Sequence, residues 1–375
     1  MRIAAIEPAG KLYGSECCLL DIIDGVSSQK FSWTVFLPSG GGFDELLQQR
    51  DVECEFLIPA QLGQITRLQR IRVYANILNR LRAIKPQLLY VNQTGSLRSA
   101  AVYASLLRLP MVCQVQTLED ALWISQRRSL HKNVYAFVCN SLYIAEKTNV
   151  HDSKKCVLYQ GMPERRGLNA VALQRAQHVV NSRLRIGILG RIAESKGHYV
   201  LLEAARLLRE RGLDFTVVVI GEGLTPAHTQ QYRTAVEQAG LGDNFDFRGF
   251  RTDIGDQLRD LDVLTIPSLA EPLGRVLFDA AEHGVPVVVS DSGGLGEVSR
   301  RFDVGVRVEA GSAEALAEGL LHVKHHYRQT ADEFRVAAPL LFQRLPMQAY
   351  IHCVERIIES ASRRDAIHVD WLGKG

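Results

Sequence analysis

The stretch SLAEPLGRVLFDAAEHGVP, Ser268 to Pro286, sits between two apolar runs, DVLTIPS at 262–268 and VPVVVSD at 285–291. Short apolar runs of this kind, bounded by turn residues and flanking a helical pattern, predict strand, helix, strand. The helix is expected over about Leu273–His283, with Pro272 suited to its first position. The N–H groups of Leu273, Gly274 and Arg275 then lack intrahelical partners and favour an anion. A carboxylate at Glu271, directly before such a turn, is expected to hold hydroxyls rather than to balance charge. Asp279 follows eight residues later. Eight helical residues span about 12 Å, so the two acids suit opposite ends of an elongated ligand. The competing reading is an ordinary helix whose N-terminal acid is favoured by the helix dipole.

The same alternation extends outward in both directions. After the stretch, the sequence from Ala313 to about Arg363 reads as helical and ends in a polar tail. Before it, RIGILG (185–190), FTVVVIG (215–221) and NFDFRG (244–249) predict further strands. Helices are expected between them at about Lys196–Arg211, Pro226–Ala239 and Ile254–Asp260. In the first half, strands are expected at Arg2–Glu7, Ser32–Leu37, Cys54–Ile58, Leu88–Val91, Val112–Val115, Val134–Cys139 and Cys156–Tyr159. Helical periodicity is clearest in Ser15–Gly25, Thr66–Ile84, Ser96–Leu107 and Ser141–Thr148. The polar segment Met162–Arg183 carries no strand pattern and reads as a linker. Strands alternating with helices form parallel sheets covered on both faces. The expectation is an α/β chain of two Rossmann-like domains, 1–165 and 184–349, joined by a linker at 166–183.

Composition sets the broad class. At 375 residues the chain exceeds one typical core. A net charge of +3 is too small to argue for a nucleic-acid partner. No apolar run reaches the roughly 18 residues of a membrane span, and MRIAAIEPAGK reads as a first strand rather than a signal peptide. The cysteines at 17, 18, 54, 113, 139, 156 and 353 lack metal-like spacing and fit a reducing, cytoplasmic compartment. The eleven histidines are scattered, and DLD at 260–262 spans a helix end and a strand start, which favours structural roles over metal binding.

The loop after 185–190 carries Arg191 and Lys196 and opens a helix, in GILGRIAESKGHYVLLEAARLL. Two cations beside free helix N–H groups make a site for a phosphate or diphosphate. The next strand is followed by GEG (221–223), which opens on the same sheet edge. Neither loop reads G-x-G-x-x-G, which argues against a nicotinamide site.

Together GRIAESKG, GEG, PSLAEPLGRVLFDA and GVPVVVSDSGGLGEV resemble the C-terminal half of family-4 retaining glycosyltransferases, also called glycosyl transferases group 1. In the first half GSE (14–16), VCNSLYIAEK and VLYQGMP match more loosely. The resemblance implies the GT-B fold, two Rossmann-like domains facing across a cleft, with a C-terminal helix (about 350–375) crossing back to the first domain. The first domain would bind the acceptor and the second the nucleotide-sugar donor. It also implies transfer of a sugar, with retention, from a nucleotide-diphosphate sugar to a glycan, lipid-linked or small-molecule acceptor, without cofactor or metal. Arg191 and Lys196 would bind the donor diphosphate. Glu271 would open the family's E-x7-E motif at the donor sugar, and Leu273, Gly274 and Arg275 would meet the phosphates. Arg248 and Phe250 would border the base, and Gly14 would belong to the glycine-rich first loop.

Two positions depart from the family pattern. Asp279 replaces the second Glu of E-x7-E and would still reach a ribose diol. Gln116 stands where the family commonly has a His at the donor sugar, and Gln cannot shuttle a proton. These departures keep two other readings open: a GT-B nucleotide-sugar epimerase, and a catalytically weak binding or scaffold protein. The basic helix TRLQRIRVYANILNRLRAIK (66–85) reads as a surface helix, or as a peripheral contact with an anionic inner-membrane face.

Overall fold

The computed structural model describes residues 1–10, 12, 14–57, 67–162 and 183–365. The chain divides into two units, Met1–Gly161 with Met347–Gly375, and Met162–Pro346. The expected linker at 166–183 lies outside the described residues apart from Arg183, as does Ile58 at the end of an expected strand.

In the first unit, β1 (Arg2–Ile6), β2 (Ser32–Pro38), β3 (Glu53–Leu57), β4 (Leu88–Val91), β5 (Met111–Val115), β6 (Val134–Cys139) and β7 (Lys155–Val157) form one parallel sheet. Its order is β3-β2-β1-β4-β5-β6-β7. The inner strands β1, β4 and β6 are almost wholly apolar because both faces are covered, while the edge strand β3 carries Glu53 and Glu55. One face packs on the helices Gly14–Gly25 and Met347–Arg363, where Leu19 and Ile22 meet Ile351, Val354 and Ile358 in one core. A hydrogen bond from Ser27 N to Glu355 Oε1 (3.0 Å) fastens the same contact. The other face packs on Arg67–Ile84, Leu97–Leu107, Leu118–Ser125 and Leu142–Lys147.

The second unit contains β8 (Leu184–Leu189), β9 (Phe215–Ile220), β10 (Phe245–Gly249), β11 (Val263–Ile266), β12 (Val287–Ser290) and β13 (Val306–Val308). They too run parallel, in the order β10-β9-β8-β11-β12-β13. Each sheet therefore reverses its winding once, between β1 and β4 and between β8 and β11. Loops leaving the carboxyl ends of those strands diverge there, and ligands of such sheets bind at that point.

Some elements were not foreseen. β13, with the exposed Arg307 at its centre, is too short to show alternation. The helix Gly293–Phe302 opens with Gly-Gly-Leu-Gly, a poor helix signal. The helical stretch expected from Ala313 to Arg363 is three helices, Ala313–His325, Tyr327–Arg344 and Met347–Arg363. The last break falls at Leu345, in a non-helical conformation before Pro346, because proline disfavours helix in the residue before it. None of the seven cysteines is in a disulfide. Among the described residues no helix is long and apolar enough to cross a membrane.

Candidate active site

The loop after β8 places Lys196. Its short 3-10 turn, Glu194–Lys196, ends at Gly197 (φ +77°), which starts the helix His198–Glu210. Only glycine fits, since a Cβ there would lie 2.0 Å from Pro267 O at the end of β11. This close approach brings the loop after β8 onto the loop after β11, and Leu269 N donates to Ser195 O at 3.0 Å. Lys196 Nζ then lies 2.7 Å from Glu271 Oε2. Ser268 Oγ donates to the same oxygen at 2.8 Å. The pair thus spans the switch point between β8 and β11, with Lys196 35% and Glu271 12% exposed. Both side-chain partners that Glu271 has among the described residues take Oε2, which leaves Oε1 able to accept a further hydrogen bond.

Neighbouring groups keep this pair in place. Glu271 O accepts from Gly294 N (2.8 Å) and Leu295 N (3.3 Å), so the third loop, after β12, anchors its backbone. Ile192 N donates to Glu222 O at 2.9 Å, which joins the loops after β8 and β9 on one edge. Arg191 is exposed there. His198 is fully buried with Nδ1 3.3 Å from Ala193 O, and burial pushes its imidazole down to about 4. It is neutral at neutral pH and adds no charge beside Lys196.

The helix carrying Asp279 corrects the expected geometry. It runs Arg275–His283, and Gly274 (φ +86°) caps it in the left-handed region. A Cβ on Gly274 would meet Leu295 Cδ1 at 2.7 Å, and Leu273 is buried at 4% exposure. Leu273 and Gly274 therefore precede the helix, and Pro272 is not its first residue. Asp279 is the fifth helical residue, about 6 Å along the axis from Arg275 at 1.5 Å per residue. The span derived from eight helical residues does not apply, because only Arg275 onward is helical.

Arg248 is spoken for by structure. Its guanidinium binds Asp246 (2.9 Å), Gln257 (2.7 Å) and Asp260 (2.5 Å). Asp260 and Asp262 also hold Arg185, through side chain and backbone, at 2.5 and 2.8 Å. The segment after β10 remains at the carboxyl edge: Phe250 is 54% exposed and its N–H donates to Glu222 Oε1 at 3.3 Å.

In the first unit Gly14 opens the helix Gly14–Gly25, and Gln116 follows β5, half-buried. Gln116 Nε2 donates to Asn92 O and Oδ1, both at 3.3 Å. Sequence reasoning missed the residues behind it, Glu7, Glu16, Asn92 and Gln93. Glu7 and Glu16, fully buried acids, meet at the switch point between β1 and β4. The available signal was an acid closing the first strand and another opening the first helix.

Two doubly wound parallel sheets, each with a polar cluster at its switch point, define a two-domain α/β protein of the GT-B type. Residues 172–339 match the model of the family described as glycosyl transferases group 1. The 2-deoxystreptamine glucosyltransferase of Streptomyces kanamyceticus is 35% identical over 140 residues, 37% of this chain and 35% of that protein. That alignment thus spans about a third of the relative's length. The lipopolysaccharide core biosynthesis glycosyltransferase LpsE of Rhizobium meliloti is 23% identical over 312 residues, 83% of this chain and 85% of LpsE. Among solved structures, Anabaena HepE in complex with UDP and glucose superposes with a TM-score of 0.81 at 21% identity, covering 96% of this chain and 100% of HepE.

Proposed function

We propose that the chain is a retaining glycosyltransferase that moves a hexose from a nucleoside-diphosphate sugar to a glycan, lipid-linked or small-molecule acceptor. The observation that carries this reading is the Lys196–Glu271 pair at the β8/β11 switch point, 2.7 Å apart. Lys196 has three donors and gives one to Glu271, so the others serve a diphosphate together with the nearby Arg191. Glu271 Oε1 accepts from sugar hydroxyls. HepE has been solved with UDP-glucose, which supports a UDP-hexose as first donor to try. Homologues named for lipopolysaccharide core and amylovoran biosynthesis support a glycan acceptor.

In the proposed step the bond from C1 to the diphosphate oxygen breaks as the acceptor oxygen bonds C1 on the same face. The acceptor proton passes to the departing phosphate oxygen. Lys196 and Arg191 stabilise charge growing on that diphosphate, the usual place for electrostatic catalysis. The test is incubation with UDP-glucose without acceptor. Slow release of free sugar supports the transferase; an epimerised donor would replace it with epimerase chemistry, and no reaction would favour a binding role.

Asp279, one turn into its helix, is assigned to the donor ribose. Asp279→Ala is expected to raise donor KM about tenfold to a hundredfold, the loss of a charge-assisted hydrogen bond, with kcat little changed. Asp279→Glu restores the family's residue and should keep donor KM low. Steady-state kinetics of both variants measure this, and an untouched KM in Asp279→Ala would make it a surface acid.

Contact with an anionic membrane is proposed for the face carrying Arg67–Ile84. The helix spends Val73, Ile77, Leu78 and Leu81 on the core of the first unit. Its outward side carries Arg72 and Arg82, while Ile71, Tyr74 and, from the next helix, Val102 and Leu106 stay exposed. Binding should therefore be chiefly electrostatic, about 1 kcal/mol per basic residue near the surface. The protein is expected to co-sediment with anionic but not neutral vesicles, and to be released by salt. Equal partitioning to both, or to neither, removes the proposal.

A further inference from the structure

The short turn that carries Lys196 is held from beneath by a buried histidine. Ala193, in an extended conformation, starts the turn Glu194–Lys196, and its carbonyl oxygen accepts from Lys196 N at 3.2 Å. His198, fully buried just past Gly197, places Nδ1 3.3 Å from that same oxygen. A carbonyl has two lone pairs, so one oxygen serves both donors. No side chain caps the turn at Ala193 or the helix at Gly197; the imidazole reaches back from the helix and ties the two together. Burial settles the tautomer. Ala193 N also lies 3.5 Å from Nδ1, so an Nε2–H form would reverse the bond. That form would leave an N–H buried without an acceptor, because Nε2 has no partner among the described residues. Orphaned buried N–H groups are rarer in folded proteins than unpaired acceptors, so the proton sits on Nδ1 and His198 donates to Ala193 O.

The far side of His198 is fixed as well. Tyr232, fully buried on the helix Pro226–Gln238, donates from Oη to His198 O at 2.9 Å. Its ring meets the imidazole edge-on, with centroids 5.4 Å apart and planes at 89°. Tyr232 in turn packs edge-on against Tyr199 and against Phe247 of β10. One imidazole therefore refers the carbonyl at the start of the Lys196 turn to a rigid aromatic core. We infer that His198 is a positioning residue, whose Nδ1–H fixes Ala193 O and with it the turn that aims the Lys196 ammonium at the diphosphate. Being fully buried, it acts through the backbone rather than on the ligand. This rests on the transferase reading above, in which Lys196 meets the donor diphosphate.

The experiment is calorimetric titration of UDP, with thermal melting beside it, for wild type, His198→Asn, His198→Leu and Val236→Ala. Asparagine puts an amide N–H where the imidazole has Nδ1 but fills less of the site. Leucine fills the site with apolar volume and offers no donor. Val236→Ala removes core volume from the helix Pro226–Gln238 and no hydrogen-bond donor.

His198→Leu is expected to bind UDP about threefold to tenfold more weakly than wild type, the loss of one neutral hydrogen bond. His198→Asn should stay within about twofold of wild type, yet melt below His198→Leu, because it buries an amide in an apolar site. Val236→Ala should melt below wild type and bind UDP as wild type does. Affinity and stability then rank His198→Asn and His198→Leu in opposite orders, whereas a purely structural histidine would rank them alike. Wild-type affinity in His198→Leu, a His198→Asn as weak as His198→Leu, or a Val236→Ala as weak as His198→Leu overturns the inference. Should His198→Asn not fold, the comparison of His198→Leu with Val236→Ala decides. Failure of the transferase reading appears separately, as a wild type that binds no UDP; wild-type affinity in His198→Leu beside a weakened Lys196→Ala overturns this inference alone.

Discussion

Lys196→Ala is expected to lower turnover of UDP-glucose about a hundredfold or more, with the fold intact. Removing one donor aimed at charge that grows in the transition state costs about 10²–10³ in rate, and Lys196 is the cation that the β8 loop fixes on the switch point. Its side chain is partly exposed and supports no core packing, so melting should change little. Lys196→Arg keeps the charge but replaces a compact ammonium with a planar fork, and Gly197 leaves no room to shift the loop, since even a Cβ there meets Pro267 O at 2.0 Å. Partial activity is the result expected of it. Unchanged turnover in a well-folded Lys196→Ala would remove the diphosphate assignment.

Glu271→Gln is expected to lower kcat about tenfold to a hundredfold with a smaller effect on donor KM. Glu271 Oε2 holds both Lys196 and Ser268. A glutamine keeps the shape but loses the charge that fixes the ammonium, and a hydrogen bond to a charged group is worth about 1.5–3 kcal/mol. It also weakens the acceptor that Oε1 offers to sugar hydroxyls. The effect falls on kcat if those contacts tighten in the transition state. A rise in KM alone, with kcat kept, would instead make Glu271 a ground-state binding residue.

Much of this arrangement was legible in the sequence because strands buried on both faces announce themselves. Leu88–Val91 and Val134–Cys139 are β4 and β6 to the residue, being apolar runs bounded by turn residues. Lys196 and Glu271 were readable as candidates, but their pairing depends on the close approach of Gly197 to β11. The start of the helix at Arg275 was not legible. Pro272 is a sound local start signal, and it lost to Gly274 packed under Leu295, a contact with another helix. Glu7 and Glu16 escaped for a related reason. Each reads alone as a strand end or an acid in a helix first turn, and only the pairing of β1 with β4 brings Gln93 between them and Asn92 onto Glu7. The strand β13 was hidden by its brevity.

The central claim, a diphosphate site built on Lys196 at the β8/β11 switch point, is tested most directly by calorimetric titration of UDP into wild type and Lys196→Ala. Wild type is predicted to bind UDP, and the variant to bind about tenfold to a hundredfold more weakly, the loss of one charge-assisted contact. Equal affinity in both proteins, or no binding of UDP or any other nucleoside diphosphate to wild type, would contradict it.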